Sequence, residues 1–133
     1  MPLILTKPKA KLLRTGDIML EIKRGEIYWI NWHPARGSEQ TGRRPALVIQ
    51  NDTGNLVSST VIVAACTTSN GKHYPFLVPI LKAESGLPKD TIINLSQILT
   101  IDKTRLDGKC GELNRAKMYQ VDIAIKKSLD LIG

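Results

Sequence analysis

Two arginines directly before a proline are the residues of this chain best suited to phosphate chemistry. Arg43 and Arg44 precede Pro45, which opens an apolar segment. A guanidinium stays charged at any useful pH and can bind a phosphate through two N–H groups at once. Arg44 is the stronger candidate, because the proline and the strand predicted after it fix its backbone, and rigid elements position functional groups best. The alternative is that both arginines are solvated loop residues.

Hydroxyl and amide side chains mark two further positions. Thr67, Thr68 and Ser69 end an apolar run, and Gln97 follows Ser96 at the start of a later one. A hydroxyl at a strand end can donate a hydrogen bond to a phosphate oxygen, or it can cap a turn. The Gln97 amide could read the edge of a base, although such a glutamine is more often a surface residue. The residues alone leave these alternatives open.

Other common catalytic groups are scarce. The two histidines, His33 and His73, would both have to lie beside a phosphate to act as base and acid of a ribonuclease, and each is better interpreted as a surface residue. The two cysteines, Cys66 and Cys110, form no CxxC pair, and the carboxylates do not cluster. We therefore predict no metal site, no cofactor and no disulfide scaffold, and a buried Cys66 thiol in a reducing cytoplasm.

The net charge of +7 favours an anionic partner. No apolar run approaches the roughly 18–20 residues that span a bilayer, so no membrane partner is expected. Residues 1–18 contribute +3 of the charge and contain two prolines without helical or strand period. They are interpreted as a basic N-terminal extension, either a disordered arm or a segment upstream of a natural start at Met19. The predicted domain covers residues 19–133.

Short segments with the composition of β-strands occur at regular spacing. The six predicted strands are residues 26–32, 45–51, 60–67, 76–80, 91–95 and 97–101. Pro79 places the fourth at a sheet edge, because a proline cannot donate to a ladder. A polar loop over residues 33–44 joins the first two strands, and its length is typical of a functional or disordered connection. Residues 52–55 have the composition of a turn.

The spacing of apolar residues changes near the end of the chain. Apolar residues recur at steps of three and four, at Met118, Val121, Ile125, Leu129 and Ile132. This spacing predicts an amphipathic C-terminal helix of about four turns. Strands followed by one helix indicate a mainly β (α+β) fold, a small SH3-like, partly open antiparallel barrel with the helix packed on it.

These motifs, taken in order, resemble the MazF/PemK toxin family. The resemblance is carried by residues 23–29 (KRGEIYW), 37–52 (GSEQTGRRPALVIQND), 63–68 (VAACTT), 90–97 (DTIINLSQ) and 100–103 (TIDK), and by the closing helix. It runs from about Met19 to Gly133. The GSEQ-x-G-x-RP string, coupled to the distant CTT, is quite specific to the family.

The resemblance implies a sequence-specific endoribonuclease toxin of a type II toxin–antitoxin system, which cuts single-stranded RNA without a metal. The family's catalytic arginine falls on Arg44 and its catalytic threonine on Thr67, with Glu39 as a supporting candidate. The candidate RNA contacts are Ser38, Gln40, Arg43, Asn51 and Gln97. We expect the RNA 2′-OH to attack the adjacent phosphorus, giving a 2′,3′-cyclic phosphate and a 5′-OH.

The resemblance also implies a cytoplasmic homodimer, with the RNA groove at the subunit junction and a cognate antitoxin whose acidic tail covers it. Tyr28, Trp29 and Trp32 could stack on bases, but so apolar a strand is better interpreted as core or dimer interface. Toxins of the same fold that bind DNA gyrase and cut nothing are the alternative, disfavoured by Arg44 and Thr67. A general nucleic-acid-binding barrel has only the net charge in its support.

Overall fold

The computed structural model describes residues 10–14, 17–32, 42–68 and 71–132, with side chains from Glu21 onward. Within these ranges, no helix is both long and apolar enough to cross a membrane. Two short strands, β1 (Ala10–Arg14) and β2 (Asp17–Leu20), pair antiparallel in a sheet of their own. They lie largely within the predicted extension, whose status as a separate segment stays a prediction.

The remaining strands form one six-stranded antiparallel sheet in the order β6-β7-β5-β4-β3-β8. They are β3 (Glu26–Trp32), β4 (Gly42–Val48), β5 (Thr60–Thr68), β6 (Leu77–Ile80), β7 (Thr91–Asp102) and β8 (Leu106–Glu112). In the described part of the chain the edge strands β6 and β8 do not pair, so the sheet is not closed into a barrel. The predicted partly open, mainly β fold is confirmed, as is the edge position of Pro79.

Three helices accompany the sheet in the described residues: α1 (Asp52–Val57), α2 (Lys82–Ser85) and α3 (Arg115–Leu129). The predicted C-terminal helix is thus confirmed, and Asn114 caps its first turn by accepting a hydrogen bond from the Lys117 N–H at 2.8 Å. Residues 52–55, predicted as a turn, begin α1 instead. Asn51 is its cap, with the side-chain oxygen 2.7 Å from the Gly54 N–H.

Apolar side chains pack on both faces of the sheet. One cluster joins Ile27, Leu47, Ile93 and Leu95 to Val121 and Ala124 of α3, and the other includes Tyr28, Ile30, Val48, Val61 and Ile101. Burial of a side chain such as Val121 contributes about 1.5–3 kcal/mol, which is what holds α3 against the sheet. Of the predicted apolar stripe, Val121 is buried, Met118 and Ile125 are partly buried against the first cluster, and Leu129 and Ile132 are exposed.

Strand β7 contains a three-residue bulge. Ala64 of β5 pairs with Ile98, but the next residue, Ala65, pairs with Asn94, so residues 95–97 have no partner in β5. The Asn94 side-chain oxygen accepts hydrogen bonds from the Ser96 N–H at 2.9 Å and the Ser96 hydroxyl at 2.6 Å. The two strands predicted over 91–101 are therefore one strand, interrupted by a bulge that redirects side chains.

A nearly buried ion pair anchors β8 to β3. Lys109 Nζ lies 3.0 Å from Glu26 Oε2, and the Tyr28 hydroxyl donates to Glu26 Oε1 at 3.0 Å. Burial, followed by the neighbouring Glu26 carboxylate, raises the pKa of Tyr28. Burial alone would lower the pKa of Lys109, but its contacts with Glu112 and Glu26 leave that pKa raised. The pair fixes the edge strand that the sequence prediction missed.

Candidate active site groove

Arg44 and Thr67, the two predicted catalytic residues, line the same cavity. The β4–β5 ladder pairs Ala46 with Ala65, and two more residues along each strand bring Arg44 level with Thr67. The cavity has a volume of about 220 Å³ and is also bordered by Trp29, Pro45 and Cys66. Both Arg44 and Thr67 are half-buried. A guanidinium and a hydroxyl therefore border one concave site.

Two further cavities adjoin the first. One, of about 580 Å³, shares Arg44 and Pro45 with it and is also lined by Trp32 and Gln97. The other, of about 210 Å³, shares Thr67 and is lined on its far side by Lys72, Tyr74, Phe76, Leu77, Ile92 and Asn94. The three cavities follow one another across the ends of β4 and β5. We call this series the groove, with Arg44 and Thr67 at its centre.

The described lining of the groove is cationic. Its charged residues are Arg43, Arg44, Lys72 and Lys89, and none of its described residues is a carboxylate. A cleft lined by one sign of charge raises the local concentration of a ligand of opposite sign. The groove therefore suits an extended polyanion better than a small neutral ligand.

Gln97 reaches the groove because of the β7 bulge. Its side chain is exposed and borders the 580 Å³ cavity opposite Arg44. Trp32 lines the same cavity, and its indole Nε1 is buried without a hydrogen-bond partner among the described residues. Buried donors normally find a partner, so this N–H is an exception. Trp32 also packs against the apolar cluster around Tyr28 and Ile30, which agrees with the core position predicted for it.

Tyr74 and Phe76 were not predicted as site residues. Their rings are parallel, with centroids 5.4 Å apart, and Tyr74 is half exposed above the 210 Å³ cavity. Nucleic-acid bases stack on such aromatic faces. Lys72, Lys89 and Asn94 also line the groove without having been predicted. The alternation of basic and aromatic residues over 72–76 was the available signal.

The other predicted site residues have different outcomes. Ser38, Glu39 and Gln40 fall outside the described residues, as does His33. Asn51 is exposed and caps α1, and it does not appear among the described residues that line the groove. Arg43 borders the central cavity, but its guanidinium donates to Asp107 and lies over the Trp29 ring.

The thiols near the central cavity are not activated. Burial raises the pKa of Cys66 to about 12 and that of Cys110 to about 11. A cysteine attacks as thiolate, so both thiols are poor nucleophiles at neutral pH. Among the residues with described positions, no group of three or more His, Cys, Asp or Glu side chains is arranged to hold a metal ion.

Comparison with known proteins assigns the chain to a family. The model of the family described as "PemK-like, MazF-like toxin of type II toxin-antitoxin system" matches residues 23–129. The chain belongs to the PemK/MazF toxin family. The resemblance stated from its motifs is confirmed. Endoribonuclease MazF of Staphylococcus epidermidis is 49% identical over 111 residues, covering 83% of this chain and 92% of that protein.

Solved structures of PemK/MazF proteins have the same fold. An endoribonuclease from Mycobacterial species superposes with a TM-score of 0.70 at 23% identity, covering 86% of this chain and 97% of that one. A MazE-MazF structure from Deinococcus radiodurans gives a TM-score of 0.68 at 27% identity, covering 84% and 98%. A further neighbour, at 24% identity and a TM-score of 0.69, is a Mycobacterial endoribonuclease in complex with its cognate antitoxin, covering 84% and 98%.

Proposed function

We propose that this protein is an endoribonuclease toxin that cleaves single-stranded RNA, chiefly mRNA, at a short sequence motif in the groove. The observation that carries the proposal is that Arg44 and Thr67 line one cavity at the centre of a cationic groove. The name of the 49% identical relative, Endoribonuclease MazF, supports the same activity. Neither the groove nor the relatives named above favour the gyrase-binding alternative.

The groove suits single-stranded RNA rather than a duplex. Its flanking cavities offer aromatic faces at Tyr74 and Trp32, on which unpaired bases can stack. The amide of Gln97 would read a base edge beside the scissile phosphate. Ser38 and Gln40, which precede β4 in the sequence, are proposed to complete the RNA contacts. Binding would weaken as salt rises, because each phosphate contact releases counterions.

The chemistry we propose needs no protein nucleophile. The ribose 2′-OH attacks the adjacent phosphorus, the bond to the 5′-oxygen breaks, and the products carry a 2′,3′-cyclic phosphate and a 5′-OH. Negative charge develops on the phosphorane oxygens as the bond forms. Arg44 would bind these oxygens with two N–H donors and Thr67 with its hydroxyl. Donors aimed at developing charge contribute about 3–4 kcal/mol each to transition-state stabilisation.

The proton of the 2′-OH must pass to a base, and the leaving 5′-oxygen must gain one. A guanidinium with a pKa above about 12 is a poor base at neutral pH, so Arg44 is assigned to charge stabilisation. Glu39 is the proposed supporting group, either accepting the 2′ proton or orienting Arg44. If Glu39 accepts the 2′ proton, its replacement by Gln would lower the cleavage rate and flatten the acidic limb of the pH–rate profile. If Glu39 only orients Arg44, the shape of the acidic limb would not change.

Metal independence and activity can be tested together. The purified protein is incubated with a long in vitro transcribed mRNA in excess EDTA, and the fragment ends are mapped. Discrete fragments with 5′-OH ends are expected. Intact RNA both with and without added Mg²⁺ would contradict the proposed activity, and cleavage only with Mg²⁺ would contradict metal independence.

The nucleophile can be tested once the cut motif is mapped. An oligonucleotide containing the motif is compared with one carrying a single 2′-deoxy nucleotide on the 5′ side of the cut. We expect the deoxy substrate to bind and to remain uncut. Cleavage at that position would show that the 2′-OH is not the attacking group.

We also propose a cytoplasmic homodimer that is neutralised by a cognate antitoxin. Complexes of MazE with MazF among the structural neighbours support the antitoxin, whose acidic segment would compete with RNA for the groove. Exposed apolar side chains such as Tyr119, Ile123 and Ile132 are consistent with a further protein surface. Sedimentation at micromolar concentration should give twice the mass of 14.7 kDa, and a monomer at that concentration would contradict the homodimer.

A further inference from the structure

Arg43 makes three contacts within the protein at the edge of the central cavity. Its Nε donates to Asp107 Oδ2 at 2.9 Å, and its Nη2 donates to the Asp107 backbone oxygen at 2.8 Å. Its guanidinium carbon lies 4.9 Å from the centroid of the Trp29 ring. We propose that Arg43 is a positioning residue, which together with Asp107 holds the Trp29 indole as a wall of the cavity that contains Arg44 and Thr67. The proposal rests on the function proposed above.

The register of β3 and β4 brings Arg43 to Trp29. Trp29 pairs with Pro45 and Asn31 pairs with Arg43, so Arg43 is the diagonal neighbour of Trp29 on one face of the sheet. A guanidinium within about 6 Å of an indole centroid is attracted to the ring by its quadrupole. The other side of the half-buried Trp29 packs on the apolar cluster that includes Ile27 and Leu47. The indole is thus held between a cation and the core.

A bulge in β8 supplies the second anchor. Tyr28 pairs with Lys109 and Ile30 with Leu106, so two residues of β8, Asp107 and Gly108, lie opposite the single residue Trp29. Gly108 has a φ of +104°, a backbone conformation that residues other than glycine rarely adopt. This local geometry directs Asp107 across β3 towards Arg43, and a Cβ at Gly108 would lie 3.5 Å from Arg43 Nη2.

The same contacts weaken the interpretation of Arg43 as an RNA ligand. Two of its five N–H groups already donate to Asp107, and the Asp107 carboxylate offsets part of its charge. A phosphate bound to Arg43 would have to share the guanidinium with that carboxylate. Arg44, one residue along, makes no such side-chain contact with any other residue of the described ranges, and it borders both the central and the 580 Å³ cavities. We therefore assign phosphate binding to Arg44 and positioning to Arg43.

The first experiment is a mutant cycle on the RNA-cleaving protein. Arg43→Gln and Asp107→Ala should each lower kcat by about three- to tenfold, because a relaxed Trp29 no longer fixes the cavity wall, and the double variant should lose no more than either single one. The salt dependence of RNA binding should be unchanged. Arg115→Gln, which removes a charge from the exposed start of α3, is the matched control and should equal the unmodified protein.

A direct phosphate contact would give a different pattern. Arg43→Gln would then raise KM and reduce the slope of log K against log salt by about 0.7, while Asp107→Ala would free the guanidinium and tighten RNA binding. That result would overturn the proposal, as would unchanged kcat in both variants. Arg43→Lys keeps a positive charge near the Trp29 ring but cannot make both contacts with Asp107. Its kcat should therefore lie between those of Arg43→Gln and the unmodified protein.

A second experiment needs no RNA. In a Trp32→Phe background only Trp29 fluoresces, and acrylamide quenching of its emission reports how freely the indole is approached. Arg43→Gln and Asp107→Ala should both increase quenching, and Arg43→Lys should fall between. Unchanged quenching would overturn the proposal even if RNA is cleaved. If the unmodified protein cleaves no RNA, the proposed function fails while this measurement still tests the positioning of Trp29.

Discussion

Arg44 and Thr67 lie on the adjacent strands β4 and β5, each two residues beyond Ala46 and Ala65, the last pair of the ladder. The two side chains are 23 positions apart in the chain, yet they border one cavity. On the other side of β5, Thr67 pairs with Ile92 of β7, which fixes its backbone. The pair is therefore positioned by the interior of the sheet and does not depend on a surface loop.

Arg44→Lys should abolish most cleavage while the fold is retained. Lysine keeps the positive charge but lacks the planar pair of donors that fits a phosphate. We expect kcat to fall about 100-fold or more, measured under single-turnover conditions on the mapped motif. Arg115→Lys is the matched control. Activity within a few-fold of the unmodified protein would show that charge alone suffices at this position.

Thr67→Val should lose cleavage, whereas Thr67→Ser should keep it. Valine has the same shape and suits a strand, so it removes the hydroxyl with little effect on packing. We expect a loss of about 100-fold in kcat for valine and less than about tenfold for serine. Thr53→Val, on the exposed surface of α1, controls for a threonine change elsewhere. Equal rates for valine and serine would remove the hydroxyl from the mechanism.

Gln97→Ala should relax the cleavage motif more than it slows cleavage. The Gln97 side chain borders the 580 Å³ cavity next to Arg44. Gln97 lies in the β7 bulge and is not one of the two proposed catalytic residues, Arg44 and Thr67. An amide that reads a base edge contributes about 1–3 kcal/mol of discrimination. Fragment-end mapping of the variant should show new cut sites that differ at one position of the motif. Gln120→Ala, on the exposed face of α3, should leave the motif unchanged, and the same outcome for Gln97→Ala would refute its role.

Glu26→Gln should destabilise the protein by about 2–4 kcal/mol, because it leaves the Lys109 ammonium buried without its main partner. Glu112→Gln is the matched control. Glu112 contacts the same lysine at 2.9 Å, but its side chain is 63% exposed, so its loss should cost less than about 1 kcal/mol. Urea unfolding of both variants measures the difference. Equal costs would mean that burial of the pair does not matter.

Stability should decrease at alkaline pH. Burial raises the pKa values of Cys66, Cys110 and Tyr28, so the folded chain keeps protons that the unfolded chain releases near about 8.5 for cysteine and about 10 for tyrosine. The contribution of these groups is complete below about pH 8 and decreases as the pH rises. Urea midpoints from pH 7 to 11 should fall, and less steeply above pH 10 in Tyr28→Phe. A constant midpoint would contradict this.

The sequence predicted Arg44, Thr67 and most of the strands, but it did not predict how the residues around them are arranged. The residue pattern alone left Arg44 and Thr67 open, and the resemblance to the PemK/MazF family marked them as the candidate pair. Strand β8 was missed because LDGKCGE contains two glycines and has low strand propensity, and only its pairing with β3 makes it a strand. Asn51 caps α1 through its side-chain oxygen, which the sequence analysis did not predict, and its contact with RNA stays a prediction.

The bulge of β7 separates two properties of the groove. Ser96 and Gln97 are exposed and have no partner in β5, so their side chains can be exchanged without altering the pairing of β4 with β5. Selection for a new target sequence could act on these two positions while Arg44 and Thr67, the proposed catalytic pair, stay unchanged. Toxins with different cellular targets would then be reachable from one another by single substitutions, with an active enzyme at each step.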